Sequence, residues 1–338
     1  MNILFAHQKL MHFPFVRRDL EILRSAYEVE EFAFTGLRDV PRLWQATRRC
    51  DMTFSWFGKL HAFFAVMFSK MQGKKAVVVA GGDDVAREPG YGMFAYWWKR
   101  WCPLFVFKQA DLILCVSEHT RQDAIRNAKA NPAKCILLYH GFELDEYKPK
   151  PGVQKGDLAL TVAGKITEAS AAIKGMESFV RSSAFLPDVA FSIVGPWHDS
   201  SIDRFREEAP SNVKFLGGVY GDDLVKLYSL ARVYVQASQH ESFGCAVAEA
   251  MLCECVPVLA RKGALPEVGG NAALYIDSLD PTEVAARIKE AMSHPEMGAR
   301  ARERIAALFP VERRRQELLH CIEGLLASSG NGNRKGSD

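Results

Sequence analysis

The 338-residue chain lacks most of the short signatures that declare an enzyme's chemistry. It has no G-x-x-x-x-G-K-[ST], which excludes a P-loop, and no G-x-G-x-x-G of a dinucleotide-binding turn. Gly217-Gly218-Val219-Tyr220-Gly221 lacks that spacing and reads as a turn. There is no D-x-D; the nearest acidic pair is Asp83-Asp84. The eight cysteines contain no C-x-x-C and no Cys/His set with zinc-ligand spacing. Several lie in apolar runs, such as Cys115 in Leu112-Ile113-Leu114-Cys115-Val116, and read as small buried hydrophobes in a reducing compartment. No run approaches the ~18 apolar residues of a membrane span. The first apolar run lacks the basic flank and cleavage site of a secretory signal. The expectation is a cytoplasmic protein, or one peripheral on the cytoplasmic face of a membrane.

Excess charge of either sign is also small. The net charge is +3, too weak for a nucleic-acid partner. It hides an asymmetry: residues 1–150 carry 22 basic against 16 acidic side chains, the remainder 21 against 24. A mildly basic first half suits phosphates or a lipid surface, though a solvated charged face has the same composition.

What is present is alternation. Short apolar runs at 2–7, 28–34, 51–55, 76–80, 111–116 and 135–139 read as strands. Helical patterns fall at 13–25, 60–71 and 118–128. In the second of these, Leu60, Phe63, Phe64, Met67, Phe68 and Met71 share one face. Residues 148–156 (KPKPGVQKG) carry two prolines and no apolar periodicity, and read as a linker. The pattern then restarts, with strands at 158–163, 189–194, 213–216, 233–235 and 256–259. Helices are expected at 173–183, 202–208, 222–230, 244–252, 281–293, 300–308 and 312–327. Strands alternating with helices imply βαβ units and parallel sheets. The expected organisation is a first domain over 1–150, a second over 151–309, a helix over 310–328 returning to the first domain, and a disordered tail over 329–338.

In open α/β sheets, ligands bind beyond the carboxyl ends of the strands. The informative stretch there is Gln239-His240-Glu241-Ser242-Phe243-Gly244-Cys245-Ala246-Val247-Ala248-Glu249, which follows a strand and opens a helix. Glu241 falls in the loop and Glu249 is expected two turns into the helix. Ser242-Phe243-Gly244 would present unpaired N–H groups, an anion site. An isolated E-x7-E is ordinarily two solvated carboxylates on a surface helix, so the context has to decide.

That context resembles the group 1 retaining glycosyltransferases, also called family 4. Ala110-Asp111 through Val116-Ser117 is similar to their "AD-apolar-V-S" strand. Tyr139-His140-Gly141-Phe142-Glu143 with Pro149 resembles their interdomain "N-G-V-D…F-x-P" turn. Ala163-Gly164-Lys165 with Lys174-Gly175 resembles "V-G-R…K-G". Phe215-Leu216-Gly217 resembles "F-L-G", and Gly263-Ala264-Leu265-Pro266-Glu267 resembles "G-G-x-P-E". Together with E-x7-E, these six motifs stand in family order over residues 110–268.

The resemblance implies an α/β GT-B fold: two Rossmann-like domains whose parallel sheets face each other across a cleft. It implies a nucleoside-diphosphate sugar (UDP- or GDP-linked) as donor, and a glycan or lipid-linked glycan as acceptor, in cell-surface polysaccharide or glycolipid synthesis. Glu241 would hold donor-sugar hydroxyls near the anomeric carbon. Lys165, where the family has Arg, and Lys174 would grip the diphosphate. Glu249 would take the ribose hydroxyls. Gly164, Ser242, Phe243, Gly244, Gly263, Ala264 and Leu265 would line the donor site. Developing negative charge on the leaving diphosphate needs fixed positive groups; two lysines and a helix N-terminus supply them, so no metal and no other cofactor is expected. Two other readings share the fold: a nucleotide-sugar epimerase and a non-catalytic nucleotide-sugar-binding partner subunit.

The first half departs from the family. The loop His7-Gln8-Lys9-Leu10-Met11-His12 has no glycine pair. Gly81-Gly82-Asp83-Asp84 matches the "H-G-x-D" loop with Gly81 in place of His. These four residues are the candidates on the acceptor side. The ring-rich stretch 91–107 (YGMFAYWWKRWCPLFVF) and the 63–71 helix, with Lys99, Arg100 and Lys74-Lys75 nearby, suit either core packing or peripheral membrane contact.

Overall fold

The computed structural model describes residues 1–9 and 13–330, and the chain falls into two units. One comprises Met1–Gly141 together with the chain from Val311 on; the other is Phe142–Pro310. Of the tail expected at 329–338, Ser329 and Gly330 close a helix, and 331–338 lie outside the described residues, as do Leu10, Met11 and His12.

The first unit is built on a parallel sheet: β1 (Asn2–His7), β2 (Glu28–Ala33), β3 (Met52–Trp56), β4 (Lys75–Ala80), β5 (Leu112–Cys115) and β6 (Cys135–Leu137). The order is β2-β1-β3-β4-β5-β6, so the winding reverses between β1 and β3. Strands β3, β4 and β5 are wholly or almost wholly buried, which explains why they read as continuous apolar runs rather than alternating ones. The second unit has β7 (Gly156–Val162), β8 (Ala190–Val194), β9 (Val213–Gly217), β10 (Ala231–Gln236), β11 (Val256–Ala260) and β12 (Leu274–Ile276). Its order is β12-β11-β10-β7-β8-β9, reversing between β7 and β10. Both sheets are parallel and doubly wound, but only the second has the order typical of a Rossmann fold.

Three differences from the sequence reading have local causes. The linker expected at 148–156 is packed onto the second unit. The Lys150 amide donates to Ser229 Oγ at 3.0 Å, and Lys155 Nζ donates to the Tyr228 and Ala231 carbonyls at 3.1 and 2.8 Å. The division between the units therefore falls at Gly141/Phe142. The helix expected at 173–183 is Met176–Ser182, and a separate helix not expected from the sequence, Glu168–Ile173, ends just before Gly175, which takes a left-handed conformation. Strand β12 and the helix Trp101–Gln109 were hidden by short or unpatterned apolar content, whereas the helix Val40–Arg49, which buries Leu43, Ala46 and Thr47 on one face, is patterned and was not read from the sequence.

The final helix, Val311–Gly330, is fastened within the first unit by Arg314. Its guanidinium donates to both oxygens of Asp19 at 2.7 Å, and to the Leu138 and Tyr139 carbonyls at 3.0 and 2.5 Å. Both side chains of the pair are essentially inaccessible, at 1% and 0% exposure. Removing one partner from such a pair strands a buried charge and costs about 3–5 kcal/mol. Asp19→Ala is therefore expected to lower stability by about that much, and Asp19→Leu with Arg314→Met to recover most of it. Denaturant titration of the three proteins checks this.

His61 gives a pH signature. It is fully buried, donates from Nε2 to the Trp56 carbonyl at 2.8 Å, and has no partner for Nδ1 among the described residues. Burial lowers its pKa to about 3. The unfolded chain takes up this proton below about pH 6.5 and the folded chain does not, so stability is full above 6.5 and falls as pH drops towards 3. Between pH 6.5 and 5 this one group is expected to remove about 2 kcal/mol. His61→Phe should lose that share of the slope in urea titrations at the two pH values.

Candidate functional site

In the second unit the motif residues collect at the carboxyl ends of β7, β10 and β11, next to the β7/β10 reversal. Gly164 and Lys165 follow β7, Glu241 to Gly244 follow β10, and Gly263 to Leu265 follow β11. Lys174 joins them from the break between two helices.

The centre is an ion pair. Lys174 Nζ lies 2.6 Å from Glu241 Oε2, with the side chains 27% and 15% exposed. The same carboxylate oxygen accepts from Ser238 Oγ at 3.2 Å. Ser238 accepts from Gln236 Nε2 at 2.6 Å, and Gln236 Oε1 accepts from the Tyr234 hydroxyl at 2.8 Å. Tyr234, Gln236 and Ser238 are buried. Burial and the nearby Glu241 charge push the Tyr234 phenol well above its ordinary pKa, so it remains a donor. Sequence reasoning missed this chain; its signal is a polar side chain at every second position from 234 to 238, the first two on one face of β10 and the third just beyond its end.

Two glycines allow the loops to close on one another. A Cβ on Gly263 would lie 2.6 Å from the Glu241 carbonyl oxygen and 2.7 Å from its amide nitrogen. A Cβ on Gly175 would lie 2.2 Å from the Ala237 oxygen. Both residues have positive φ, which side-chain-bearing residues rarely adopt. The contact is sealed by Ala264 N donating to the Glu241 carbonyl at 2.9 Å, and by Gln239 N donating to the Ile173 carbonyl at 2.7 Å.

Gly244 caps the helix Cys245–Leu252 with no side-chain hydrogen bond to the first turn. The first turn of a helix has no intrahelical acceptor for its amides. Glu249 is the fifth residue of this helix, a little over one turn in rather than two, because the helix starts only after Gly244. It accepts from the Tyr228 hydroxyl at 3.1 Å; the fully buried Tyr228, on the helix Gly221–Leu230, was not singled out from sequence. Ser242 is half-buried. Phe243 is buried against Phe142 and Phe309, with ring centroids 6.0 and 5.3 Å away, which makes its side chain a packing residue. Ala264 and Leu265 are fully buried. Gly164 and Lys165 are exposed; the Lys165 carbonyl accepts from Ser170 Oγ, and its side chain makes no ion pair among the described residues. Beside the ion pair, a pocket of about 280 Å³ opens between Ser238, Gln239, Lys262 and Asp277.

The four candidates of the first unit sit elsewhere, after β4. Asp84 is fully buried; one carboxylate oxygen accepts from Gly58 N at 2.7 Å and the other from Gly82 N at 2.8 Å. Burial raises its pKa to about 7, against the pull of those amides. Its geometry is that of a loop staple, not of a group offered to solvent. Asp83, partly exposed, pairs with Lys59 at 2.7 Å. Gly81 has a steric cause: a Cβ there would lie 2.1 Å from the Phe57 ring. Phe57 itself has φ 66°, a rare value for a bulky residue.

A lysine–glutamate pair, a helix N-terminus and two close glycines thus meet at one switch point of a doubly wound α/β unit, the place where open α/β sheets bind ligands. Residues 145–307 match the family model for "Glycosyl transferases group 1". The second unit of the chain thus resembles the group 1 glycosyltransferases. O-antigen chain mannosyltransferase B of Escherichia coli is 28% identical over 198 residues, 54% of this chain and 52% of that protein. D-inositol 3-phosphate glycosyltransferase of Mycolicibacterium gilvum is 26% identical over 245 residues, 67% of this chain and 53% of the other. The chain thus spans about half the length of these curated relatives. The crystal structure of Anabaena HepE in complex with UDP and glucose superposes with a TM-score of 0.78 at 16% identity, covering 96% of this chain and 99% of that one. Sucrose-phosphate synthase from Thermosynechococcus elongatus gives 0.74 at 15% identity, covering 97% and 100%. These likenesses establish the two-domain α/β fold of GT-B proteins.

The packing of Phe57 against Gly81 yields a test. Gly81→His, the residue that the resembling loop carries, is expected to lower stability by about 1–3 kcal/mol through overpacking. Phe57→Ala in the same chain should relieve part of that loss. Thermal unfolding of the two single variants and the double variant measures the coupling.

Proposed function

We propose that the chain is a retaining, metal-independent glycosyltransferase that moves a sugar from a UDP- or GDP-linked donor to a glycan or lipid-linked glycan. The observation that carries this reading is the Lys174–Glu241 pair, held at the β7/β10 switch point beside the N-terminus of the helix that bears Glu249. The family match over 145–307 supports it, as do relatives named for sugar transfer and the UDP and glucose bound by HepE.

In this reading Glu241 accepts hydrogen bonds from the donor-sugar hydroxyls, and Glu249 from the ribose. Lys174, the exposed Lys165 and the first-turn amides after Gly244 hold the diphosphate. Lysine at 165 offers a point charge where arginine would offer a planar fork. The bond between the anomeric carbon and the phosphate oxygen breaks, and the electron pair leaves with the diphosphate. The acceptor oxygen bonds to the same carbon on the same face, and its proton passes to the departing phosphate. Fixed positive groups at the leaving oxygen lower the barrier most, because negative charge grows there in the transition state. Two lysines and a helix terminus meet that demand without an ion. Gly263, Ala264, Leu265, Gly164, Ser242 and the Phe243 and Gly244 backbone line the donor; Gly81, Gly82 and Asp83 border the acceptor, with Asp84 holding their loop.

Thermal-shift titration with UDP, GDP, ADP and CMP, with and without EDTA, tests the donor class. One diphosphate at 100 times its dissociation constant should stabilise the protein by about 2.7 kcal/mol, equally in EDTA. Glu249→Ala should abolish the shift. No response to any nucleotide at millimolar concentration would defeat the reading.

A further inference from the structure

We infer that the loop and helix start formed by residues 96–101 of the first unit dock on an anionic lipid bilayer. Trp97, Trp98 and Trp101 are 73%, 54% and 52% exposed. They fall in two groups of rings: Tyr96 meets Trp98 at 5.2 Å and Trp97 meets Trp98 at 6.0 Å, while Trp101 meets Phe63 at 5.2 Å. Phe63 in turn meets Phe105 at 4.7 Å. The inner members of the second group pack against the core, and the outer three rings do not. The alternative expectation of core packing thus holds for Phe63 and Phe105 and not for the tryptophans.

Charge selects the occupant. From residue 89 to residue 110 there is no acidic side chain, while Lys99, Arg100 and Lys108 are all exposed. None of the three is paired with a carboxylate among the described residues; Lys99 lies over the Tyr96 ring at 4.0 Å. Tryptophan rings settle at the level of lipid headgroups, and each nearby Lys or Arg adds about 1 kcal/mol on an anionic surface. No helix of the described residues is long and apolar enough to cross a membrane, so contact is interfacial.

The surface also stands at the right end of the unit. The segment leaves the carboxyl end of β4 through Gly81–Asp84, and the Met93 amide bonds back to the Asp83 carbonyl at 2.7 Å. The helix Trp101–Gln109 starts near this loop: Cys102 Sγ donates to the carbonyl of Gly58 at 3.8 Å, and the Gly58 amide is bound by Asp84. This deepens the proposed function by naming the surface on which a lipid-borne acceptor is met, and that last clause rests on the transfer reading.

Vesicle flotation of the full chain tests the docking. Phosphatidylcholine vesicles containing phosphatidylglycerol should carry the protein, shift its tryptophan emission to shorter wavelength and release it as salt rises. Pure phosphatidylcholine should carry far less. Trp97→Ala, Trp98→Ala and Trp101→Ala combined should weaken partition at least about tenfold, with the unfolding midpoint falling no further than in Trp101→Ala alone, which loses the Phe63 contact. Glu249→Ala should float like the unmodified chain, which separates failure of this inference from failure of the donor reading. Equal flotation of the triple variant, no flotation with anionic vesicles, or a dimer in solution that the triple variant dissolves would each overturn it.

Discussion

The second unit depends on how Glu241 is held. A carboxylate on a loop end would ordinarily sample many positions, and a single exposed ion pair contributes little to fixing it. Here Lys174 fixes one oxygen, Ser238 donates to the same oxygen, and the hydrogen-bonded side chains of Gln236 and Tyr234 lie behind Ser238 in the sheet. Desolvating such a pair is worthwhile only when further hydrogen bonds complete it, and the polar face of β10 supplies them. The loop backbone is fixed as well, since Gly263 and Gly175 bring neighbouring chain into positions that no Cβ would tolerate. Side chain and main chain are therefore set independently, which is what preorganisation of a charged site requires.

The first unit solves a different problem with a similar device. Its sheet ends at β6, yet its core is completed by a helix that follows the entire second unit in sequence. Apolar burial alone would permit that helix several registers. Arg314 specifies one, because its planar group must meet both Asp19 oxygens and the Leu138 and Tyr139 carbonyls together. Trp56 lies under the guanidinium at 5.8 Å and under His140, whose ring is nearly parallel at 5.8 Å. His140 stands where the resembling turn has Asn, and its substitution is accounted for by this stack.

The parts legible in the sequence were those with a local cause. Buried parallel strands showed as Val77-Val78-Val79 and Leu112-Ile113-Leu114, and the helix 60–71 by its periodicity. The E-x7-E stretch was legible through its neighbours, not by itself. What stayed hidden depends on distance in space. No periodicity announces that Gly175 separates two helices and lies against the Ala237 carbonyl, more than sixty residues away. The packing of 148–156 onto the second unit rests on Ser229, Tyr228 and Ala231, which composition cannot associate with a Pro- and Lys-rich stretch. Tyr228 reaches Glu249 from a different helix, so only the fold reveals the pair.

The departures in the first unit form one connected change. Gly81 replaces the histidine of the resembling loop, and the space is filled from outside by Phe57, which takes a left-handed backbone to present its ring. That unfavourable conformation has to be held by its surroundings. The Phe57 amide bonds to the Val79 carbonyl at 2.9 Å, and next to it the Gly58 amide is bound by Asp84. Asp84 also binds Gly82, so one buried carboxyl joins the loop after β3 to the loop after β4. An aromatic face thus stands where the histidine would stand, with Lys59 Nζ 5.0 Å from its centroid and paired to Asp83. Within the proposed reading, the acceptor meets the lysine–aspartate pair rather than an imidazole, and the buried Phe57 ring closes the space beside Gly81 without offering a base.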